Sequence, residues 1–286
     1  MERQKKIALI NDVTGFGRCS IAVELPIISS LGIQGCMLPT AILSAHTGYP
    51  TYFFDDYTKN MQAYIDNWKE LSLSFDGICT GFLGSKEQIE LVLSFLKEFK
   101  REDTLVVVDP VMGDDGIIYA TYTEEMCEEM KRLIHHADII TPNVTEAYRL
   151  LDREYPSYSI TEVELEQIAK ELCEKGPQKV VITGIEKDTE VLNYCYEKNG
   201  KHSLIRREKI ANSRPGTGDI FTSVVTGAEM YDIPLEKAVL LAADFVKEGL
   251  VKTIEQEIPH NDGICFEPLL GSLIQRFEEL KKENRE

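Results

Sequence analysis

Along the first two thirds of the chain, short β-branched apolar runs alternate with longer stretches whose apolar residues recur every three or four positions. The runs cover 6–10, 34–38, 75–79, 105–108, 137–140 and 179–182. Each is a few residues long and bounded by turn formers, which predicts strands. The stretches at 20–31, 57–71, 85–99, 123–134, 145–151 and 165–174 predict helices. In 85–99, Leu91, Phe95 and Phe99 repeat at four-residue spacing and form one apolar stripe. Strands that are apolar on both faces and alternate with helices predict a parallel sheet covered on both sides. The pattern changes near Glu190. Residues 191–196 and 203–207 predict a polar antiparallel hairpin around Asn199-Gly200. Two long helices over 216–230 and 234–251 follow, and a charged helix closes the chain. No repeat, low-complexity tract or linker interrupts the pattern. The reading is one doubly wound α/β domain over 1–286, with a mostly parallel sheet, helices on both faces and little room for a separate lid. Ligands of such sheets sit at the carboxyl ends of the strands, so the loops after the strands are where chemistry is expected.

Composition narrows the function classes. A length of 286 residues fits one α/β domain with a wide sheet. No apolar run approaches the ~20 residues a membrane span needs. The charged start, 1–6, runs directly into the first predicted strand, so no signal peptide is expected. Seven cysteines are scattered without a Cys-x-x-Cys pair, which reads as reduced thiols of a cytoplasmic protein and not as a disulfide framework or zinc site. The formal net charge of −17 argues against a nucleic-acid partner, which needs stripes of Lys and Arg. It leaves room for one nucleotide held by local amides, a few cations and a metal.

Four loops carry candidate chemistry. In Arg214-Pro215-Gly216-Thr217-Gly218-Asp219, two glycines allow close backbone approach and a helix follows. Its first turn offers free N–H groups and the positive end of the dipole, an anion hole of the kind a transferring phosphoryl group requires. Asp219, beside it, can take the proton of an attacking hydroxyl. Taken alone, Gly-x-Gly-Asp reads equally as a glycine-rich helix start with a dipole-favoured acid. Asp109-Pro110-Val111-Met112-Gly113-Asp114 ends an apolar strand with acids that either hold Mg²⁺ or cap a turn. In Asn143-Val144-Thr145-Glu146, Asn143 and Glu146 predict a capping box. The same groups would face phosphates and hydrated Mg²⁺. Residues 44–49 and the pair Asn11-Asp12 place polar groups where an acceptor could bind, although a lone His46 is more often a structural hydrogen-bond partner.

Together, Gly216-Thr217-Gly218-Asp219, Asn143-x-x-Glu146 and the Asp-Pro-Val-Met-Gly-Asp string resemble the ribokinase-like kinases. Within them, Ser44-x-His46-Thr47-x-Tyr49, Thr80-Gly81-Phe82-Leu83-Gly84-Ser85 and the 109–114 string resemble the pyridoxal/pyridoxamine kinase branch. The resemblance runs in order from residue 7 to about residue 250. It implies ATP-dependent phosphorylation of the 5′-hydroxymethyl group of a B6 vitamer, in pyridoxal phosphate salvage. It implies Asp219 as base and Gly216, Thr217 and Gly218 as anion hole. Asp109 and Glu146 would serve Mg²⁺, and Asn143, Glu146, Thr183 and Asp114 the nucleotide phosphates. Asp12, His46, Thr47 and Phe82 would surround the pyridine ring. Relatives of this kind are usually homodimers, and many are helped by a monovalent cation such as K⁺.

The departures fall on the vitamer side. In the branch the first loop usually carries Ser then His; here it reads Asn11-Asp12, with an acid in place of the serine, and is shorter. Phe82 stands where a tyrosine is expected and Leu43 where a phenylalanine is expected. The kinase reading is untouched, while the preferred vitamer stays open. Its nearest rival is a hydroxymethylpyrimidine kinase of thiamine salvage, whose first loop typically carries a Gly-Gly-Ala-Gly run absent here. A non-catalytic B6-binding protein on the same scaffold is a second alternative. A hydride-transfer enzyme fits poorly, since no Gly-x-Gly-x-x-Gly follows the first strand.

Overall fold

The computed structural model describes residues 3–119, 122–211 and 213–284; Met1 and Glu2 of the charged start lie outside them. The elements in chain order are β1 (Lys6–Thr14), α1 (Ile21–Ser30), β2 (Gln34–Leu43), β3 (Phe54–Asp56), α2 (Thr58–Glu70), β4 (Gly77–Thr80), α3 (Lys86–Phe99), β5 (Leu105–Val108), β6 (Gly113–Asp114), β7 (Ile117–Ile118), α4 (Glu124–Ile134), β8 (Ile139–Ile140), α5 (Val144–Leu150), α6 (Glu162–Glu174), β9 (Lys179–Lys187), β10 (Glu190–Glu197), β11 (His202–Glu208), α7 (Thr217–Glu229), α8 (Leu235–Glu255) and α9 (Leu270–Glu283).

Among the described residues the main sheet runs β11-β10-β9-β8-β5-β4-β1-β2-β3. The strands from β9 through β2 pair in parallel. Antiparallel strands close both edges, β10 and β11 on one side and β3 on the other. Strand alternation splits the core into two layers. Ala8, Ile10, Ile78, Val106 and Val108 face α2 to α6, where Met61, Trp68, Phe95, Leu133 and Leu172 pack. Ile7, Leu9, Cys79 and Val107 face α1, α7, α8 and α9, where Ile27, Val224, Val239 and Phe277 pack. Both layers are buried on strands that are apolar throughout, as a helix-covered parallel sheet demands. Side chains fix several helix starts: Ser85, Thr123 and Thr161 each accept the N–H three residues on. No separate lid domain stands among the described residues.

The strands reach further than the apolar runs. β1 continues past Ile10 to Thr14, so Asn11 and Asp12 are strand residues and not loop residues. The physical reason is β2, which also extends, to Leu43, and pairs with Val13 and Thr14 across a register shift between Asn11 and Val13. β3 then adds to the projecting end of β2. β9 likewise continues past Ile182, and past Thr183, because β10 folds back along it. A small ribbon, β6 with β7, follows the Asp109 turn. The parallel sheet thus ends in a raised rim at the carboxyl ends of its strands.

Candidate active site

Asp219 lies in the first turn of α7. The helix opens on Gly216, whose backbone is left-handed at φ 80°, and a Cβ there would fall 1.9 Å from the Arg18 carbonyl oxygen. Only glycine fits that turn. Thr217 Oγ1 donates to the Arg214 carbonyl at 2.6 Å and closes the turn. Gly218 is exposed at the helix mouth, with Asp109 Oδ2 3.8 Å from its Cβ position. The N–H groups and positive dipole end of α7 therefore open beside two carboxylates.

The Asp219 carboxylate is held from the other end of the chain. Ser20 N–H donates to its Oδ2 at 2.8 Å, and Asn11 Nδ2 approaches its Oδ1 at 3.4 Å. Ser20 adopts φ 53° and ψ −141°, a sparsely populated conformation for a residue with a Cβ, and the hydrogen bonds around it hold it there. Gly81 leaves room for Asn11, since a Cβ at 81 would collide with its amide. Burial pushes the Asp219 carboxyl up to about 6, the Ser20 N–H opposes this, and the Asp12 charge adds to it. A carboxylate raised this far takes a proton more readily than an ordinary aspartate near neutral pH.

Asp12 is buried, 6% exposed, beneath the Ser20 turn. Its Oδ1 accepts from Ser20 Oγ at 2.6 Å and its Oδ2 from Thr14 Oγ1 at 2.7 Å. Burial raises its pKa and both hydroxyls lower it. Asp109 follows β5 and accepts a bond from Thr222 Oγ1 at 3.3 Å. Burial raises it first, and the Asp219 charge raises it further.

Asn143 and Glu146 form the capping box: Asn143 Oδ1 accepts from Glu146 N–H at 2.9 Å and Glu146 Oε2 from Asn143 N–H at 2.8 Å. Glu146 Oε1 also accepts from Met112 N–H, and Asn143 Nδ2 donates to the Gly113 carbonyl. The pair therefore fastens the 109–114 turn to α5. Asp114 is exposed on β6, and Thr183 bridges to Asn143, its N–H donating to the Pro142 carbonyl.

In the turn after β2, His46 has both ring nitrogens engaged. Nδ1 accepts from Gly48 N–H at 3.0 Å, which leaves Nε2–H to donate to the Asn261 carbonyl at 2.6 Å. Its ring packs on Tyr49, centroids 4.7 Å apart, so the histidine offers the crevice a ring surface and no free nitrogen. Tyr49 Oη donates to Asp262 Oδ1 at 2.6 Å. Thr47 is exposed on the same turn. Phe82 is half-buried after β4, its N–H bound to Asn11 Oδ1 and its carbonyl to Thr40 Oγ1.

Among the described residues no cluster of three or more His, Cys, Asp or Glu side chains can hold a metal. Mg²⁺ commonly uses one or two carboxylates, waters and substrate phosphates in place of a protein cage. Asp109 fits that mode, because it lies beside Gly218 where phosphates would meet the helix. Both oxygens of Glu146 are occupied by N–H donors, so its reach to a cation is through water or through the turn it fastens.

A model of the phosphomethylpyrimidine kinase family matches residues 20–263. The chain belongs to that family. Within the ribokinase-like superfamily it falls in the pyridoxal kinase branch, and it is an enzyme of the kinase class. Pyridoxal kinase of Arabidopsis thaliana is 30% identical over 229 residues, 74% of this chain and 70% of that one. A hydroxymethylpyrimidine/phosphomethylpyrimidine kinase of Haemophilus influenzae is 27% identical over 258 residues, 87% and 92% of the two chains. A Bacteroides thetaiotaomicron protein described as a phosphomethylpyrimidine kinase, crystallised with pyridoxal, is 41% identical with a TM-score of 0.91, covering 95% of this chain and 96% of that one. Sequence reasoning passed over two groups that hold Asp219, the Asn11 amide and the Ser20 N–H, and Glu24, which accepts from the Asn11 amide. The signal for Glu24 was present, since it is the one charged residue in the apolar helix over Ile21–Ser30.

Proposed function

We propose that this kinase transfers the γ-phosphate of ATP to the 5′-hydroxymethyl group of a B6 vitamer, giving the 5′-phosphate. The observation that carries the reading is Asp219, a carboxylate raised by burial and held by Ser20 and Asn11 at the mouth of the α7 N-terminus. Asp219 orients the hydroxyl and takes its proton as the oxygen attacks. The N–H groups of Gly216 and Gly218 stabilise charge that spreads over the phosphoryl oxygens, the term that dominates such transfers, while the Thr217 N–H, expected to share this role, donates to the Arg214 carbonyl at 3.2 Å and closes the turn. Asp109, with Glu146 behind it, would hold Mg²⁺ through water, and the ion would neutralise phosphate charge. Asn143, Thr183 and Asp114 lie on the rim assigned to the nucleotide; Asp12, His46, Thr47 and Phe82 lie on the side assigned to the vitamer. Asp12 is proposed to tune vitamer preference, and unchanged preference in Asp12→Ser removes that role.

Two further parts of the reading rest on surface chemistry. Phe53 is 65% exposed, and Phe16, Ile42, Tyr52 and Phe54 are exposed near it around β3, which supports a homodimer that covers this edge. A molar mass of one chain at micromolar concentration in light scattering would remove it. All seven cysteines are free, which supports a reducing, cytoplasmic setting, and no described helix is long and apolar enough to cross a membrane.

The family model and the Haemophilus relative support a second reading, phosphorylation of a hydroxymethylpyrimidine. ADP formation from Mg-ATP, with and without K⁺, across pyridoxal, pyridoxamine, pyridoxine and hydroxymethylpyrimidine separates the two. Turnover of a B6 vitamer, lowered by about 10²–10⁴ in Asp219→Asn with ATP binding retained, is expected. Turnover of the pyrimidine alone moves the enzyme to the second reading. No ADP release with any of them points to an untested acceptor alcohol or to a binding protein on the kinase scaffold.

A further inference from the structure

Glu24 is buried in α1, 4% exposed, and is not used by the mechanism above. Its Oε1 accepts from Asn11 Nδ2 at 2.8 Å, while its Oε2 is buried without a hydrogen-bond partner. Asn11 cannot turn away. Its Oδ1 accepts from Asp12 N–H at 2.9 Å and from Phe82 N–H at 2.8 Å, so its NH₂ must face the two acids, Glu24 and Asp219. The groups that face Glu24 from neighbouring elements are Asp219 of α7, Asp12 of β1 and Asp109 after β5, with the Cys79 thiol of β4 beside it. None of them is cationic. A carboxylate with one bare buried oxygen among three acids would cost several kcal/mol, and such a group neutralises instead.

We propose that Glu24 is a positioning residue for phosphoryl transfer: as a neutral acid it anchors the Asn11 amide, and through Asn11 it sets the orientation of the Asp219 carboxylate. Burial, with the Asp219 charge next, pushes Glu24 well above the usual carboxylate range, in keeping with the geometry. The neutral form also spares Asp219 a second adjacent charge. The proposal rests on Asp219 being the base, so Asp219→Asn is measured in the same assay.

The test compares Glu24→Gln, which keeps the acceptor oxygen without a charge, with Glu24→Met, which keeps the volume and loses the acceptor. Steady-state kinetics, pH–rate profiles and thermal midpoints are recorded for both. Glu24→Met is expected to lose roughly tenfold or more in kcat, with both KM values and the midpoint held, because misplacement of a reacting group acts on the transition state. Glu24→Gln is expected to restore kcat to within about threefold and to leave the acid limb of kcat/KM where it is. Wild-type kcat in Glu24→Met while Asp219→Asn is inactive would overturn the positioning role and leave the base intact. A parallel fall of activity and thermal midpoint in both variants would make Glu24 merely structural. An acid limb moved to lower pH in Glu24→Gln would show that Glu24 is charged in the resting enzyme, which also overturns the proposal.

Discussion

Replacing Gly216 by alanine tests whether the turn before α7 is as tightly set as its geometry states. The added Cβ would lie 1.9 Å from the Arg18 oxygen, so reaching even a tight 3.0 Å contact requires 3.0 − 1.9 = 1.1 Å of movement. Arg18 cannot retreat freely. Its N–H and guanidinium hold the Asp262 carbonyl, its Nε binds Glu267 at 2.6 Å, and Gly263 packs against its oxygen. If the loop that carries Arg18 moves, Ser20 leaves Asp219; if α7 moves, the proposed anion hole leaves the phosphoryl group. A 1 Å misplacement commonly costs about 10²-fold in rate. The left-handed backbone adds about 1–3 kcal/mol of strain for a residue with a Cβ. Gly216→Ala should therefore lose about 10² in kcat and about 1–3 kcal/mol in urea unfolding. Gly218→Ala is the control for the fold, since its Cβ would meet only Asp109 Oδ2 at an ordinary 3.8 Å. Its unfolding midpoint should stay near wild type. Gly216→Ala with turnover within about threefold of wild type would refute the transition-state geometry argued here, and an equal loss of stability in Gly218→Ala would refute the steric argument.

Other outcomes follow from the same groups. Burial holds Asp12, Glu24, Asp109, Glu146 and Asp219 above the ordinary carboxylate range, so near neutrality the folded chain binds more protons than the unfolded one. Their contribution to stability is fully present below the unfolded carboxylate values, near about 4, and is lost as pH rises through the folded ones. Calorimetry of the ligand-free protein should show a thermal midpoint that falls from about pH 6 to about pH 8; a midpoint that rises across this window contradicts the assignment. Glu146→Gln places an NH₂ against one of two backbone N–H donors, and should cost about 1–3 kcal/mol in urea unfolding; no loss would mean that the capping box does not fasten the 109–114 turn. Asp12→Asn should keep the fold, because the Ser20 and Thr14 hydroxyls can reverse their hydrogen bonds, and a large stability loss would show that its charge is required.

The parallel core was legible because β4, β5 and β8 are continuous apolar runs, and the helices because their stripes and caps are local. Less legible was the raised rim. Asn11, Asp12 and Thr14 are polar and read as loop, yet they are strand because β2, itself extended by β3, reaches up beside them. Phe54–Asp56 is three residues long and fully exposed, and only its partner β2 makes it a strand. In the site, Gly216 to Asp219 stood out because glycine, dipole and acid fall within one turn. The anchors of Asp219 did not, since they are a backbone N–H and an amide from a distant segment, and no local pattern marks either. Glu24 was visible as a charge in an apolar helix, but its partner could be known only once β1 and α1 were placed together.

The hydrogen bonds that steady Asp219 join residues 208 and 199 positions apart, Asn11 and Ser20 at one end of the chain and the proposed base near the other. During synthesis the N-terminal half emerges first, and it carries Asn11, Ser20 and Asp109 without Asp219 or the α7 turn. Phosphoryl transfer therefore cannot begin in a partly made chain, whatever strands have already paired. Contacts of such sequence separation also form late and slowly, because loop closure precedes the gain they bring. Recovery of turnover on refolding should thus trail recovery of helix content, which makes activity a measure of the completed molecule.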